Sequence, residues 1–290
     1  MNKTILITGA TGRQGGAVAR HLLGEGWKVR AFTRHPDSDA SFTLLNLGAE
    51  IMKGDLNIIE SVRRVLEGVY GVFSVQNAWE HGVDTEVEQG NRLIDEAKKT
   101  GVAHFVYSSV SSAQHATGIP HFDSKWKIEQ HLRSSGIPAT VIRPVFFMEN
   151  LLVPDTLSSI EKGILTLGTE PEKPLQMIAV NDIGAFAARV FGNPDQYIGT
   201  ATDIAGDDLT GQHMADILSH LLHRYIEYRQ TPIEQIRSFS NDYAMMVEWF
   251  NIRGYSVNIA AVQKELPDVT TFRRWVVTHR DVLNLHPAHV

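Results

Sequence analysis

The chain has 290 residues, 43% of them hydrophobic and 21% charged, enough for one large domain or for a domain with a smaller lobe. Its formal net charge of −6 weighs against direct binding to nucleic acid or to an anionic membrane. It has no cysteine, which excludes disulfides, thiolate metal sites and a cysteine nucleophile, so redox chemistry has to run through a bound cofactor.

The chain begins "MNKTILITGATG", whose apolar run is too short for a signal-peptide core or a bilayer span, and a cytoplasmic location is expected. Through residue 153, short β-branched or aromatic runs ("TILITG", "KVRAFTR", "EIMKGD", "GVFSV", "HFVYSS", "ATVIRP") alternate with stretches of helical spacing. Gly26, Gly48, Gly68, Gly101 and Gly136 stand where those helices stop. Such alternation predicts an α/β fold, a doubly wound parallel sheet with helices on both faces. Beyond it, prolines at 154, 171, 174 and 194 interrupt helices; "NDIGAFAARVFG" reads as a helix capped by Asn181 or Asp182, and "GTATDIAG" as a further strand. From Leu209 onward the pattern is mostly helical. The expected division is therefore a sheet domain over 1–153 and 177–205, and a smaller, mostly helical C-terminal lobe over 154–176 and 206–290.

The first strand–helix junction carries the chemistry. Gly9, Gly12 and Gly15 in "ILITGATGRQGGAVARHLL" have G-x-x-G-x-x-G spacing between a strand and an amphipathic helix. Gly9 permits the sharp turn off the strand, Gly12 clears space for a pyrophosphate, and Gly15 lets the helix pack closely on the sheet. The helix N-terminus then offers N–H groups and partial positive charge to phosphates. Strand 2 ends "AFTRH", with Arg34 where NAD-binding domains usually place a carboxylate; a guanidinium suits a 2′-phosphate, so NADP(H) is expected as cofactor unless Arg34 only faces solvent. Asp55, followed by Leu56 in "KGDL", can meet an adenine amino group or cap the next helix. Gln76 and Asn77 follow strand 4, where they can line the nicotinamide-side ribose.

These stretches, with "HFDSKWKIEQHLRSSGIPATVIRPVFFMENLL" and "VNDIG", resemble the NmrA-like family, a branch of the atypical short-chain dehydrogenases, over nearly the whole length and only loosely after Gly206. The resemblance implies a Rossmann-type domain with a small C-terminal lobe and NADP(H) across the sheet's carboxyl edge. Carried over by position, it puts the phosphate loop on Gly9, Ala10, Thr11, Gly12, Arg13 and Gln14, the 2′-phosphate arginine on Arg34, and the adenine-side aspartate on Asp55. Ribose and nicotinamide contacts fall on Gln76, Asn77, Ala78 and Lys125, and on Phe147 through Asn150. Ser38 stands where a relative has a second basic residue and Ala78 where it has a tyrosine, which puts part of the grip in question.

Short-chain dehydrogenases use Y-x-x-x-K, in which the lysine orients the ribose and lowers the tyrosine's pKa. Here Lys125 keeps its half on a helix, while His121 takes the tyrosine's place. Histidine can carry a proton near neutral pH, so acid/base, hydrogen-bonding and packing roles are all open to it. Ser108, Ser109, Ser111 and Ser112 follow strand 5, either as the dehydrogenase serine or as turn chemistry; Arg143 reads as structural. His220 and His223 share a helix without a third ligand and His286 and His289 sit in the tail, so no metal is expected.

Two function classes follow. One is an NADP(H)-binding redox or nucleotide sensor whose loops around 34–42 and 77–90 are read by a regulatory protein partner. The other is an NADPH-dependent reductase of a small apolar carbonyl, quinone or similar substrate, with Phe146, Phe147 and Met148 walling the substrate side. A monomer or a homodimer suits either; a nucleotide-sugar epimerase is disfavoured, because that chemistry retains the tyrosine.

Overall fold

The computed structural model describes residues 3–283; His286 and His289 lie outside the described residues. Its strands are β1 (Thr4–Ile7), β2 (Lys28–Thr33), β3 (Glu50–Lys53), β4 (Gly71–Ser74), β5 (His104–Ser108), β6 (Ala139–Pro144), β7 (Phe146–Phe147), β8 (Ile164–Leu167), β9 (Pro174–Ile178), β10 (Ala201–Ile204), β11 (Asp207–Thr210) and β12 (Glu227–Gln230). The largest sheet has the order β10-β6-β5-β4-β1-β2-β3, with β1 to β6 pairing in parallel. This is the expected doubly wound, Rossmann-type sheet, and its strand order reverses between β1 and β4. Ligands of such sheets bind outside the carboxyl ends at that point.

The helices that matter below are α1 (Arg13–Gly24), α2 (Asp39–Asn46), α3 (Ile59–Leu66), α4 (Ala78–His81), α5 (Val83–Lys99), α6 (Pro120–Ser135), α7 (Pro154–Glu161) and α8 (Val180–Gly192). The five glycine stops all have φ between +69° and +98°, the left-handed turn that ends a helix at low cost. Against one face of the sheet, Val62, Val65, Leu93, Ile94, Ile128 and Leu132 from α3, α5 and α6 form a buried layer with Leu6, Val72 and Phe105. Elsewhere α1 and α8 meet at Gly184, where a Cβ would lie 2.7 Å from the Ala17 carbonyl carbon.

The chain clusters into two compact units, one running to Pro144 with Val180–Asp203, the other Val145–Ala179 with Ile204 onward. The first boundary thus falls nine residues before the expected 153/154, because Phe146 and Phe147 pair in parallel with β9 and belong to the second unit's sheet. That unit is less purely helical than the sequence suggests. It holds a three-stranded sheet β11-β9-β7 and a parallel pair β12-β8, beside helices at Gly211–Leu222, Ile233–Phe239, Asn241–Ile252, Ile259–Glu265 and Phe272–Thr278. Leu209 and Thr210, where the mostly helical region was expected to begin, lie in the strand Asp207–Thr210, which pairs antiparallel with β9, and Thr210 caps the helix that follows. Pro154 opens α7 instead of breaking it, since the first helical position needs no N–H. Asn181 and Asp182 lie inside the first turn of α8, not at its cap. No helix among the described residues is long and apolar enough to cross a membrane.

A pH effect follows from β5. His104 is fully buried, its Nε2 lies 2.8 Å from Thr140 Oγ1, its Nδ1 has no partner, and burial pushes its pKa down to about 4. The unfolded chain takes up this proton near pH 6.5 and the folded chain does not. This contribution to stability is therefore complete above pH 6.5, falls by up to about 1.4 kcal/mol per pH unit below it, and levels off near pH 4. Urea unfolding of the wild type and of His104→Phe at pH 7 and pH 4.5 should show a smaller acid loss in the variant. Equal losses would contradict the assignment.

Candidate functional site

At the carboxyl end of β1 the chain turns at Gly9 with φ +58°, and Gly12 N donates to Gly9 O at 2.9 Å. A Cβ on Gly15 would lie 2.3 Å from Gly9 O and 2.7 Å from Thr8 O, so only glycine lets α1 begin this close to the strand. No side chain caps α1 at Gly12, and no acid stands in its first turn. Gly9, Gly12 and Arg13 are exposed there, while Ala10 is buried. The turn therefore suits a pyrophosphate: a cleared backbone facing an uncapped, electropositive helix start. Thr8 ties the two strands at the reversal, its Oγ1 lying 3.0 Å from Val75 O and 2.9 Å from Val75 N. Gln14 Oε1 accepts a 2.6 Å hydrogen bond from Ser108 Oγ, and Thr11 shares one of 3.3 Å with Thr33.

At the end of β2, Arg34 is exposed and engaged. Its Nη2 donates to Glu80 Oε2 at 2.6 Å and its Nη1 to His81 Nε2 at 3.1 Å. Ser38, next to it, accepts from Ser41 N as the cap of α2. Asp55 is not the cap of α3: its Oδ1 accepts from Asn57 N at 2.8 Å, and α3 starts later, from Ile58. Leu56 O accepts from Arg92 Nη1. After β4, Gln76 is buried and its Nε2 donates to Ser74 Oγ, leaving Oε1 buried without a donor. An orphaned buried acceptor costs about 1–3 kcal/mol unless a ligand or water satisfies it. Asn77 is exposed and caps α4 by accepting from Trp79 N, and Ala78 opens that helix.

His121 and Lys125 sit one turn apart on α6, which starts at Pro120. The His121 ring is 7% exposed and packs between Trp79 (centroids 5.0 Å apart, planes at 48°) and Phe122 (4.8 Å, 89°). Lys125 Nζ donates to Glu86 Oε1 at 2.8 Å and lies 3.5 Å from Gln76 O. Glu86, on α5, is fully buried and also accepts a short hydrogen bond from Ser124 Oγ. That carboxylate fixes the position of the Lys125 side chain. The hydroxyl of Tyr107 on β5 is fully buried without a partner; burial first, then the charges of Glu86 and Glu129, keeps its pKa well above the ordinary value. Tyr107 therefore stays a neutral phenol, enclosed in the core. Of the serines, Ser108 is spent on Gln14, Ser109 Oγ is buried without a partner, and Ser112 takes φ +69° in the turn that follows.

The structure thus collects Gly9 through Gly15, Arg34, Gln76, Asn77, Ala78 and Lys125 within one unit, with Asp55 and Leu56 at the edge-strand end. Phe147 and Asn150 belong to the second unit, in β7 and in the turn Met148–Leu152. Glu86, Trp79 and Glu80 were not legible as site residues, since acids and an aromatic at helix starts carry no motif. No group of three His, Asp or Glu residues among those described is placed to hold a metal ion.

Comparisons with known proteins follow this geometry. The sequence profile of the NmrA-like family matches residues 1–276. An NmrA-like family domain-containing protein of Dictyostelium discoideum is 30% identical over 270 residues, 88% of this chain and 89% of the relative. The triphenylmethane reductase of Citrobacter sp., solved with NADP(H), superposes with a TM-score of 0.82 at 20% identity, covering 95% of this chain and 99% of its own. The negative transcriptional regulator NmrA, solved with NADP, superposes with a TM-score of 0.80 at 19% identity over 94% of each chain, and it has also been solved with NAD.

Proposed function

The chain belongs to the NmrA-like family, and from that premise we propose that it binds NADP(H) outside the carboxyl ends of β1, β2 and β4 and acts as a redox or nucleotide sensor read by a partner protein. The cofactor is supported by the glycine-cleared turn at Gly9–Gly15, by Arg34 at the end of β2, and by the orphaned Gln76 acceptor. In this reading the turn and α1 hold the pyrophosphate, Arg34 the 2′-phosphate, Asp55 the adenine, and Gln76, Asn77, Ala78 and Lys125 the ribose and nicotinamide.

The observation that carries the sensor reading is the state of the Y-x-x-x-K positions. His121 is wedged between two aromatic rings, and Lys125 is bound to a buried carboxylate. Packed and paired in this way, the two positions suit nucleotide binding more than proton transfer to a substrate oxygen. A sensor needs different contacts in its two nucleotide states, or no signal exists. Limited proteolysis with NADPH, with NADP and without nucleotide is expected to give distinct patterns around 34–42 and 77–90. Identical patterns would contradict the sensor role.

The reductase likeness keeps one alternative open: reduction of a small carbonyl, quinone or similar acceptor. Bound NADPH would supply the hydride, and Lys125 or His121 would supply or orient the proton taken up by the acceptor oxygen. Steady NADPH oxidation across quinones and aldehydes, abolished by Lys125→Ala, would favour this alternative; tight NADPH binding without turnover would favour the sensor.

A further inference from the structure

Helix α4 is a four-residue element between β4 and α5, and none of its residues is buried. Two side-chain tethers hold it. At one end Glu80 and His81 take both terminal nitrogens of Arg34, at 2.6 and 3.1 Å. At the other, Trp79, itself 57% exposed, lies over the buried ring of His121 at 5.0 Å. The same short helix therefore touches the residue that ends β2 and the residue four positions before Lys125.

A guanidinium grips a phosphate best through two parallel N–H bonds. In Arg34 both terminal nitrogens are already committed, one to a carboxylate that repels any phosphate brought beside it. A 2′-phosphate brought onto the remaining N–H groups of Arg34 would stand beside the Glu80 carboxylate and be repelled by it, so the two anions compete for one guanidinium. A nucleotide without that phosphate leaves the pair intact.

Resting on the reading that this cleft takes NADP(H), we propose that Glu80 and the 2′-phosphate compete for Arg34, and that α4 converts the exchange into displacement of Trp79 from His121. Glu80 is thus a specificity-determining residue that lowers affinity for the phosphorylated dinucleotide. The exchange reports the 2′-phosphate at the nicotinamide end, where the two dinucleotides are chemically identical. No atom is transferred and no bond is broken. The signal is the reassignment of one ion pair on a short helix that has no buried residue.

The test uses the full chain with NADP⁺ and NAD⁺, which do not fluoresce, in the wild type and in Glu80→Gln, Arg34→Ala, the double variant and Trp79→Phe. Glu80 is half-exposed and Gln keeps its shape, so folding is not at stake. Glu80→Gln should tighten NADP⁺ binding about fivefold, the scale of losing an exposed ion pair together with a like-charge contact, and change NAD⁺ binding less than about twofold. The gain should vanish in the Arg34→Ala background. Saturating NADP⁺ should change indole emission in the wild type, NAD⁺ should do so much less, and Trp79→Phe should lose the difference. An unchanged NADP⁺ affinity in Glu80→Gln, an equal gain for NAD⁺, a gain that persists without Arg34, or the same emission change from both nucleotides would each overturn the proposal while leaving NADP(H) binding intact. Failure of either nucleotide to bind the wild type would overturn the cofactor reading and this proposal together.

Discussion

Replacing Arg34 by alanine is expected to weaken NADPH binding by about 30-fold, roughly 2 kcal/mol, and to leave NADH binding within about twofold. The figure is that of charge-assisted hydrogen bonds to one phosphate, reduced by the release of Arg34 from Glu80 that binding requires. The side chain is exposed and its partners are exposed, so removing it should cost little stability. Competition titrations at two salt concentrations check this: the wild-type preference for NADPH should shrink at high salt, as an exposed ionic contact does. A variant that loses both dinucleotides equally would place Arg34 at the pyrophosphate or outside the site.

Replacing Arg143 by methionine is expected to destabilise the protein by about 3–5 kcal/mol, read as a lowered urea midpoint with unchanged m. Arg143 is the penultimate residue of β6 and is buried. Its Nε and Nη2 donate to both oxygens of Glu129 on α6 at 2.8 and 2.6 Å, and Asp203 lies 3.7 Å away. Burial works against the charge, and the Glu129 hydrogen bonds and the two carboxylates more than restore it. Methionine would leave the Glu129 carboxyl fully buried, with only the exposed Arg133 for a partner. The double variant Glu129→Met, Arg143→Met should recover most of the loss, because a buried ion pair replaced by apolar side chains of similar size is often neutral. No recovery would mean that the pair itself holds α6 against the sheet, and with it His121 and Lys125.

The first unit was legible because its signals are local. Gly12 and Gly15 answer a close approach to residues 8 and 9, and Gly9 and the glycine stops answer a backbone angle. The apolar strand cores, such as the fully buried "GVFS" of β4, stand out from the helices around them. The second unit was less legible because its strands are short and carry polar residues: "DDLT" and "EYRQ" become strands only through pairing with β9 and β8. The compact units divide at Pro144 for the same reason, since Phe146 and Phe147 reveal their allegiance only through β9. In the candidate site, sequence spacing correctly placed His121 and Lys125 on one helix, yet it could not show that Glu86, 39 positions earlier, holds the lysine. Contacts between distant segments leave no period to read.

In the proposed function, the turn at Gly9–Gly15 grips the pyrophosphate of NADP(H). Hydrogen exchange of the full chain with and without saturating NADPH tests it most directly. The account predicts slowed exchange at the amides of residues 9–16 and at the ends of β2 and β4. Unchanged exchange there, or protection confined to other segments, would contradict it.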